Sequence, residues 1–385
     1  MSSPPPDAPL KMDPFQTVAR EMKFLTGNIR QLLGSGHPTL DTVAKYYTQS
    51  EGKYVRPMLV LLMSRATALT PRASRGGMGI GTQSADISIT NPRILADENP
   101  DQSPIGSIQR DSAYPAEDSD ILPSQRRLAE ITELIHTASL LHDDVIDHSV
   151  SRRSAPSANI EFGNKMAVLA GDFLLGRASV ALARLRDPEV TELLATVIAN
   201  LVEGEFMQLK NTARDEKNPL WTEDTVTYYL QKTYLKSASL ISKSCRAAAI
   251  LGGSSPEVVE AAYLYGKNLG LAFQLVDDML DYTVSEAELG KPAGADLELG
   301  LATAPLLFAW KDDSSLGKLV GRKFSQQGDV QRAREIVSQS SGLEQTRALA
   351  QDYVDKAIEA ISLFPESEAK TGLVEMCTKV MERRK

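Results

Sequence analysis

Proline breaks helices and central strands, so its placement limits where regular structure can form. Of the 20 prolines, five lie in residues 1–14 and five more between Pro92 and Pro123. The first stretch, MSSPPPDAPLKMDP, reads as a disordered leader over about residues 1–12. It has neither an Arg-rich amphipathic helix nor an apolar core segment, so it reads as neither a transit nor a signal peptide. The second stretch, about 72–122, carries RGGMGIG and then Ser, Asp, Asn and Pro without periodicity. A loop this long is unusual inside a domain, and we expect a mobile insertion. Its glycines follow no strand, open no helix and lack a Lys-Ser/Thr pair, which argues against a phosphate loop.

The remainder, residues 13–385 apart from the insertion, reads as one all-helical domain. Asp13 can cap a helix with Pro14 in its first turn. Phe15, Val18, Met22, Leu25, Ile29 and Leu32 then form an apolar stripe, and Gly34 can end it. Asp187-Pro188 and Ser255-Pro256 start two more helices, and residues about 124–147 and 223–250 are helical by pattern. No convincing strand pair is visible, and no 30–50-residue repeat suggests a solenoid. Two cysteines, Cys245 and Cys377, cannot build a disulfide framework. The net charge of -8 argues against nucleic acid as a partner. No uncharged apolar run reaches the roughly 18 residues of a membrane span.

Two segments carry chemistry: LLHDDVIDHSVSRR, with Asp143, Asp144 and Asp147, and FQLVDDMLDYT, with Asp277, Asp278 and Asp281. Each reads D-D-x-x-D. At roughly 6% Asp, two such matches arise by chance in only a few chains per thousand, so the pair demands a reason. Spacing of four puts Asp143 and Asp147 on one helical face, and Asp277 and Asp281 likewise. Apolar neighbours surround both clusters, unlike an ordinary solvated acidic face. Carboxylates in such a setting need a compensating cation, and few Lys or Arg lie within one turn before either cluster. Mg²⁺ is the natural candidate, because it takes one or two carboxylates and fills its shell with water and phosphate oxygens. Two facing clusters would then clamp a diphosphate. Fixed cations stand nearby: Arg152 and Arg153, Lys53 and Arg56 in EGKYVRP, Lys232 in YLQKTYLK, and Lys291 in LGKPAGAD. Each singly is as readily a surface charge. His136 lies two turns before Asp143, either as a structural histidine or as a donor to a second diphosphate. No Ser-His-Asp triad is needed, and neither cysteine has a nucleophile's context.

In this order the motifs resemble those of the trans-isoprenyl diphosphate synthases. ELIHTASLLHDDVID, GEFMQL and GKPAGADLELGLATAP are similar to the long-chain branch that makes ubiquinone side chains in fungal mitochondria. The resemblance implies an antiparallel helix bundle around a deep central cavity, a homodimer or a heteromer, and a mitochondrial location. It implies two or three Mg²⁺ ions held by Asp143, Asp144, Asp147, Asp277 and Asp278, with Asp281 alongside. It places Arg152, Lys232, Thr233, Gln274 and Lys291 on an allylic diphosphate, farnesyl or geranylgeranyl. It places Lys53, Arg56, His136 and Arg153 on isopentenyl diphosphate. The basic end, Arg383-Arg384-Lys385, would fold over that second site or serve as solubilising charge. Small residues one turn before Asp143, Ala138 and Ser139, would leave room for products of 30 to 50 carbons, and release of such products implies peripheral membrane contact. Glu51, Tyr54, Ser154 and Leu301 depart from the family pattern, but none is a metal carboxylate. The alternatives are a terpene cyclase, a non-catalytic partner subunit and a helical scaffold. The intact second cluster, DDMLD, argues against each.

Overall fold

The computed structural model describes residues 13–49, 54–72, 120–152, 155–212, 219–283 and 294–383. The leader, nearly all of the 72–122 insertion, Lys53, Arg153, Lys291, Arg384 and Lys385 lie outside the described residues. The chain runs α1 Pro14–Thr17, α2 Ala19–Leu32, α3 Pro38–Gln49, α4 Val55–Ala68, α5 Pro123–Ile146, α6 Ala158–Phe162, α7 Asn164–Arg184 and α8 Pro188–Thr212. It continues through α9 Glu223–Thr233, a π-helical turn Tyr234–Ala238, α10 Ser239–Leu251 and α11 Pro256–Thr283. The last elements are α12 Ala295–Glu298, α13 Ala304–Asp312, α14 Leu316–Gly321, α15 Asp329–Gln339, α16 Gly342–Ala360 and α17 Glu368–Met381.

Local chemistry sets the expected starts. Asp13 accepts from the Phe15 N–H at 3.3 Å ahead of Pro14, and Asp187 accepts from the Val190 N–H at 3.1 Å ahead of Pro188. The stripe expected from Phe15 to Leu32 is broken at Val18 into α1 and α2, yet Val18, Leu25, Ile29 and Leu32 are buried as their spacing requires. One expectation is corrected. A two-stranded antiparallel pair exists, β1 Ser151–Arg152 with β2 Ala155–Pro156. Two residues per strand are too few to show alternation, so no sequence pattern announces it. It follows His148, whose φ of 51° turns the chain sharply at the end of α5.

Helix α5 packs between α7 and α4, and α11 packs between α10 and α16. Close approach of α11 to α10 and to the π-helical turn depends on Gly266 and Gly270. A Cβ at either would lie 2.7 Å from a backbone Cα, that of Ser242 or of Ala238. The first turns of α5 bury charge. Arg126 binds Glu21 through two hydrogen bonds of 2.8 Å, and Arg127 pairs with Glu130, which also accepts from Asn28 at 2.9 Å. Among the described residues α7 alone has the length and hydropathy to cross a membrane, but Asp172 and Arg177 interrupt it and nearly half of it is buried in the protein. The N-terminal end of α1 and the C-terminal helix α17 meet through Lys379 and Asp13 at 2.9 Å.

Candidate active site

The first acidic cluster closes α5, with Asp147 as its C-cap residue. Its members have different surroundings. Asp143 is partly buried, and its pKa is pushed up to about 6 by that burial, tempered by Lys236 and reinforced by Glu205 and Asp147. Burial raises Asp147 for the same reason, against the pull of Lys236. Asp144 is fully buried. One of its oxygens accepts from Arg152 Nε at 2.8 Å and from a second Arg152 nitrogen at 2.7 Å; the other accepts from the Tyr47 hydroxyl. That hydroxyl in turn accepts from the Ala158 N–H at 2.7 Å.

The second cluster lies near the end of α11. Asp278 is buried, accepting from the Tyr229 hydroxyl at 2.5 Å and from Gln274 at 2.8 Å. Burial raises its pKa and lowers that of Lys232 beside it, which Asp278 partly restores. Asp277 is more open and pairs with Arg383 at 2.5 Å, whose guanidinium lies 4.2 Å from the centre of the Phe273 ring. Asp281 is buried; its carboxylate accepts from the Asp296 N–H at 3.3 Å and its carbonyl from the Gly294 N–H at 3.2 Å.

One cleft joins the clusters. It holds about 590 Å³ of empty volume, open solvent included, and Asp147 and Asp278 both line it together with Lys232, Thr233, Gln274 and Lys236. Lys236 is the cation that sequence reasoning missed. It binds Glu205 at 2.6 Å, and Asp143, Glu205 and Asp147 together outweigh the burial that opposes its charge. Its signal was available: Lys236 stands four residues after Lys232 in YLQKTYLKSAS, one turn further on. The π-helical turn carries it, a distortion frequent at functional sites. Arg152 sits on Asp144 and is not a wall of this cleft, and Arg56 and His136 form their own contact of 2.9 Å between α4 and α5. Each cluster thus has protein cations at hand, Arg152 and Lys236 at the first, Lys232 and Arg383 at the second. Arg152 follows its cluster closely, whereas Lys236, Lys232 and Arg383 come from distant segments, beyond the reach of a search within one turn.

A second cleft, of about 660 Å³ on the same measure, opens from Asp143 and is mostly apolar. Ser139 and Ile135 of α5 face Leu175 of α7 and Ile198, Val202 and Phe206 of α8. Ala138 is not on this wall but fully buried in the core, so the two small residues before Asp143 have different surroundings.

A fit for Mg²⁺ follows from the donors. All are carboxylate oxygens, the ligands a hard cation prefers. Among the described residues no three acidic, His or Cys side chains converge into a cage of their own. Mg²⁺ needs no such cage, since phosphate oxygens and water complete its shell. Burial raises the pKa of Asp143 and Asp147, and a bound cation would offset that cost of holding their charge.

The helical fold, the paired acidic clusters and the apolar cleft behind them define an isoprenoid synthase. The polyprenyl synthetase family model matches residues 107–337. A protein of Neurospora crassa, named as a probable mitochondrial hexaprenyl pyrophosphate synthase, is 74% identical over 97% of this chain and 82% of its own. Decaprenyl-diphosphate synthase subunit 1 of Schizosaccharomyces pombe is 47% identical over 96% of this chain and 90% of its own. The crystal structure of a Caulobacter crescentus polyprenyl synthase, complexed with calcium and isoprenyl diphosphate, superposes with a TM-score of 0.76 at 29% identity, covering 97% of both chains. The chain belongs to the polyprenyl synthetase family and is a prenyltransferase.

Proposed function

We propose that this chain lengthens an allylic diphosphate, farnesyl or geranylgeranyl, by repeated addition of isopentenyl units. As a long-chain trans-polyprenyl diphosphate synthase it supplies the ubiquinone side chain, in keeping with its relatives, and the name of the Neurospora protein supports a mitochondrial location. The observation that carries the reading is the cleft that Asp147 and Asp278 both line together with Lys232 and Lys236, and the apolar cleft that begins at Asp143.

Mg²⁺, the metal of this family, would be held by Asp143, Asp147 and Asp277, with Asp144, Asp278 and Asp281 behind them. When bound it supplies positive charge to the leaving diphosphate. Lys232 and Lys236 add fixed charge to the same oxygens, with Thr233 and Gln274 as further hydrogen-bonding groups. Arg152 is held at the edge by Asp144. Ionisation of the allylic C–O bond then leaves a cation against apolar walls that exclude water. Arg56 and His136 present isopentenyl diphosphate, whose double bond attacks, and a proton is lost to the departing diphosphate. We assign Lys53 and Arg153 to the second diphosphate and Lys291 to the first.

Exposed Val168, Leu169 and Val180 on α7, with Val202, Phe206 and Leu209 on α8, give the homodimer an apolar surface. A heteromer is the second reading, favoured by the word subunit in the name of the fission-yeast relative. The test is incubation with isopentenyl and farnesyl diphosphates and Mg²⁺, then sizing of the products. Products of 30 to 50 carbons from the chain alone support the proposal. No elongation by the folded chain alone would overturn it in favour of a partner-dependent subunit.

A further inference from the structure

The two acidic clusters share a construction that their sequences do not reveal. In each, the second aspartate of the D-D-x-x-D run is buried: Asp144 in the first, Asp278 in the second. Both oxygens of each carboxylate are engaged. One accepts from a buried tyrosine, Tyr47 or Tyr229; the other accepts from Arg152 or from Gln274. The Tyr47 hydroxyl also accepts a hydrogen bond, from the Ala158 N–H at 2.7 Å. Its own proton is therefore committed to Asp144, as the Tyr229 proton is to Asp278. A cation then lies on the ring of the same tyrosine. The Arg152 guanidinium is 6.0 Å from the centre of Tyr47, and the Lys232 ammonium 5.4 Å from the centre of Tyr229. Nothing relates the two sets by sequence: Tyr47 reaches Asp144 from α3, and Tyr229 reaches Asp278 from α9.

We propose that Tyr47 and Tyr229 are positioning residues, each fixing one inner aspartate with its hydroxyl and one cation, Arg152 or Lys232, with its ring. The inner aspartate is then a brace for a cation, and the outer carboxylates remain for metal. The benefit is preorganisation, since a cation held before substrate arrives costs no ordering when charge develops. A hydroxyl that only filled space would serve as well without its proton donor. This inference rests on reading the clusters as an allylic diphosphate site.

The test removes the hydroxyl and keeps the ring, in Tyr47→Phe and Tyr229→Phe. The probe is the thiolo analogue of farnesyl diphosphate, whose C–S bond does not ionise, titrated by calorimetry with Mg²⁺ present. Loss of a hydrogen bond to a charged group should weaken analogue binding about tenfold or more in either variant. The melting temperature should fall by no more than one unpaired buried polar group costs, and the KM for isopentenyl diphosphate should stay close to wild type. A double-mutant cycle gives the readout that a structural role would not move. In an Asp144→Asn background Tyr47→Phe should add nothing, because the carboxylate it braced is gone. Wild-type affinity in both variants overturns the inference, as do additive losses in the cycle or unfolding of both variants. A wild type that ignores the analogue with Mg²⁺ overturns the site reading itself, and this inference with it.

Discussion

At the scale of single residues, the acidic clusters were legible because their oddity is local: carboxylates between apolar neighbours, twice. What surrounds each carboxylate was not. Asp143 and Asp144 are adjacent in sequence, yet one opens into a cleft and the other is closed off by Arg152 and Tyr47. Helical geometry turns neighbours about 100° apart, and only the packing around α5 decides which direction faces solvent. Lys232 was singled out and Lys236 was not, though Lys236 is the one that touches Glu205 and pulls on Asp143 and Asp147. Asp143→Ala should remove a metal ligand and leave the fold, because a partly exposed carboxylate at a helix end holds little of the core. Turnover should fall by several kcal/mol in transition-state stabilisation, at least a hundredfold, with an unchanged circular dichroism spectrum. Excess EDTA should silence the wild type equally; activity that survives chelation would refute the metal reading.

At the scale of elements, the helix starts at Asp13-Pro14, Asp187-Pro188 and Ser255-Pro256 were readable because capping involves only residues a few positions apart. The π-helical turn at Tyr234–Ala238 was not, since it answers to helices packed against it from far along the chain, and the pair Ser151–Arg152 with Ala155–Pro156 was not, since two residues per strand show no alternation. Nothing in local spacing announces the buried ion pairs that fasten the first turns of α5. Glu21→Ala would strand the Arg126 guanidinium in the core. A loss of about 3–5 kcal/mol in urea unfolding is expected. Replacing both partners, Glu21→Leu with Arg126→Met, should restore much of it, because the pair costs desolvation that apolar side chains avoid. Gly266→Ala should cost about 1–3 kcal/mol, as the new Cβ meets Ser242 backbone rather than a pliable side chain.

At the scale of the whole molecule, the proposed function assigns product length to the apolar cleft between α5, α7 and α8. Both residues one turn before Asp143 were expected to face the growing chain, and only Ser139 lies on that wall. Ser139→Phe should therefore floor the cleft early and release shorter prenyl diphosphates at sustained activity, read by product chromatography. Ala138→Phe should instead overpack the core and lower the melting temperature, at about 1–3 kcal/mol. Equal shortening by both would show that the cleft reaches Ala138. The pairing of Lys379 with Asp13 bears on how the molecule would yield to mechanical load. Stretched between those two points in an optical trap, the protein would meet force at a contact that spans the pulling axis. It would open like a zipper, α1 peeling from α17 at low force, before the bundle that carries the acidic clusters came under tension.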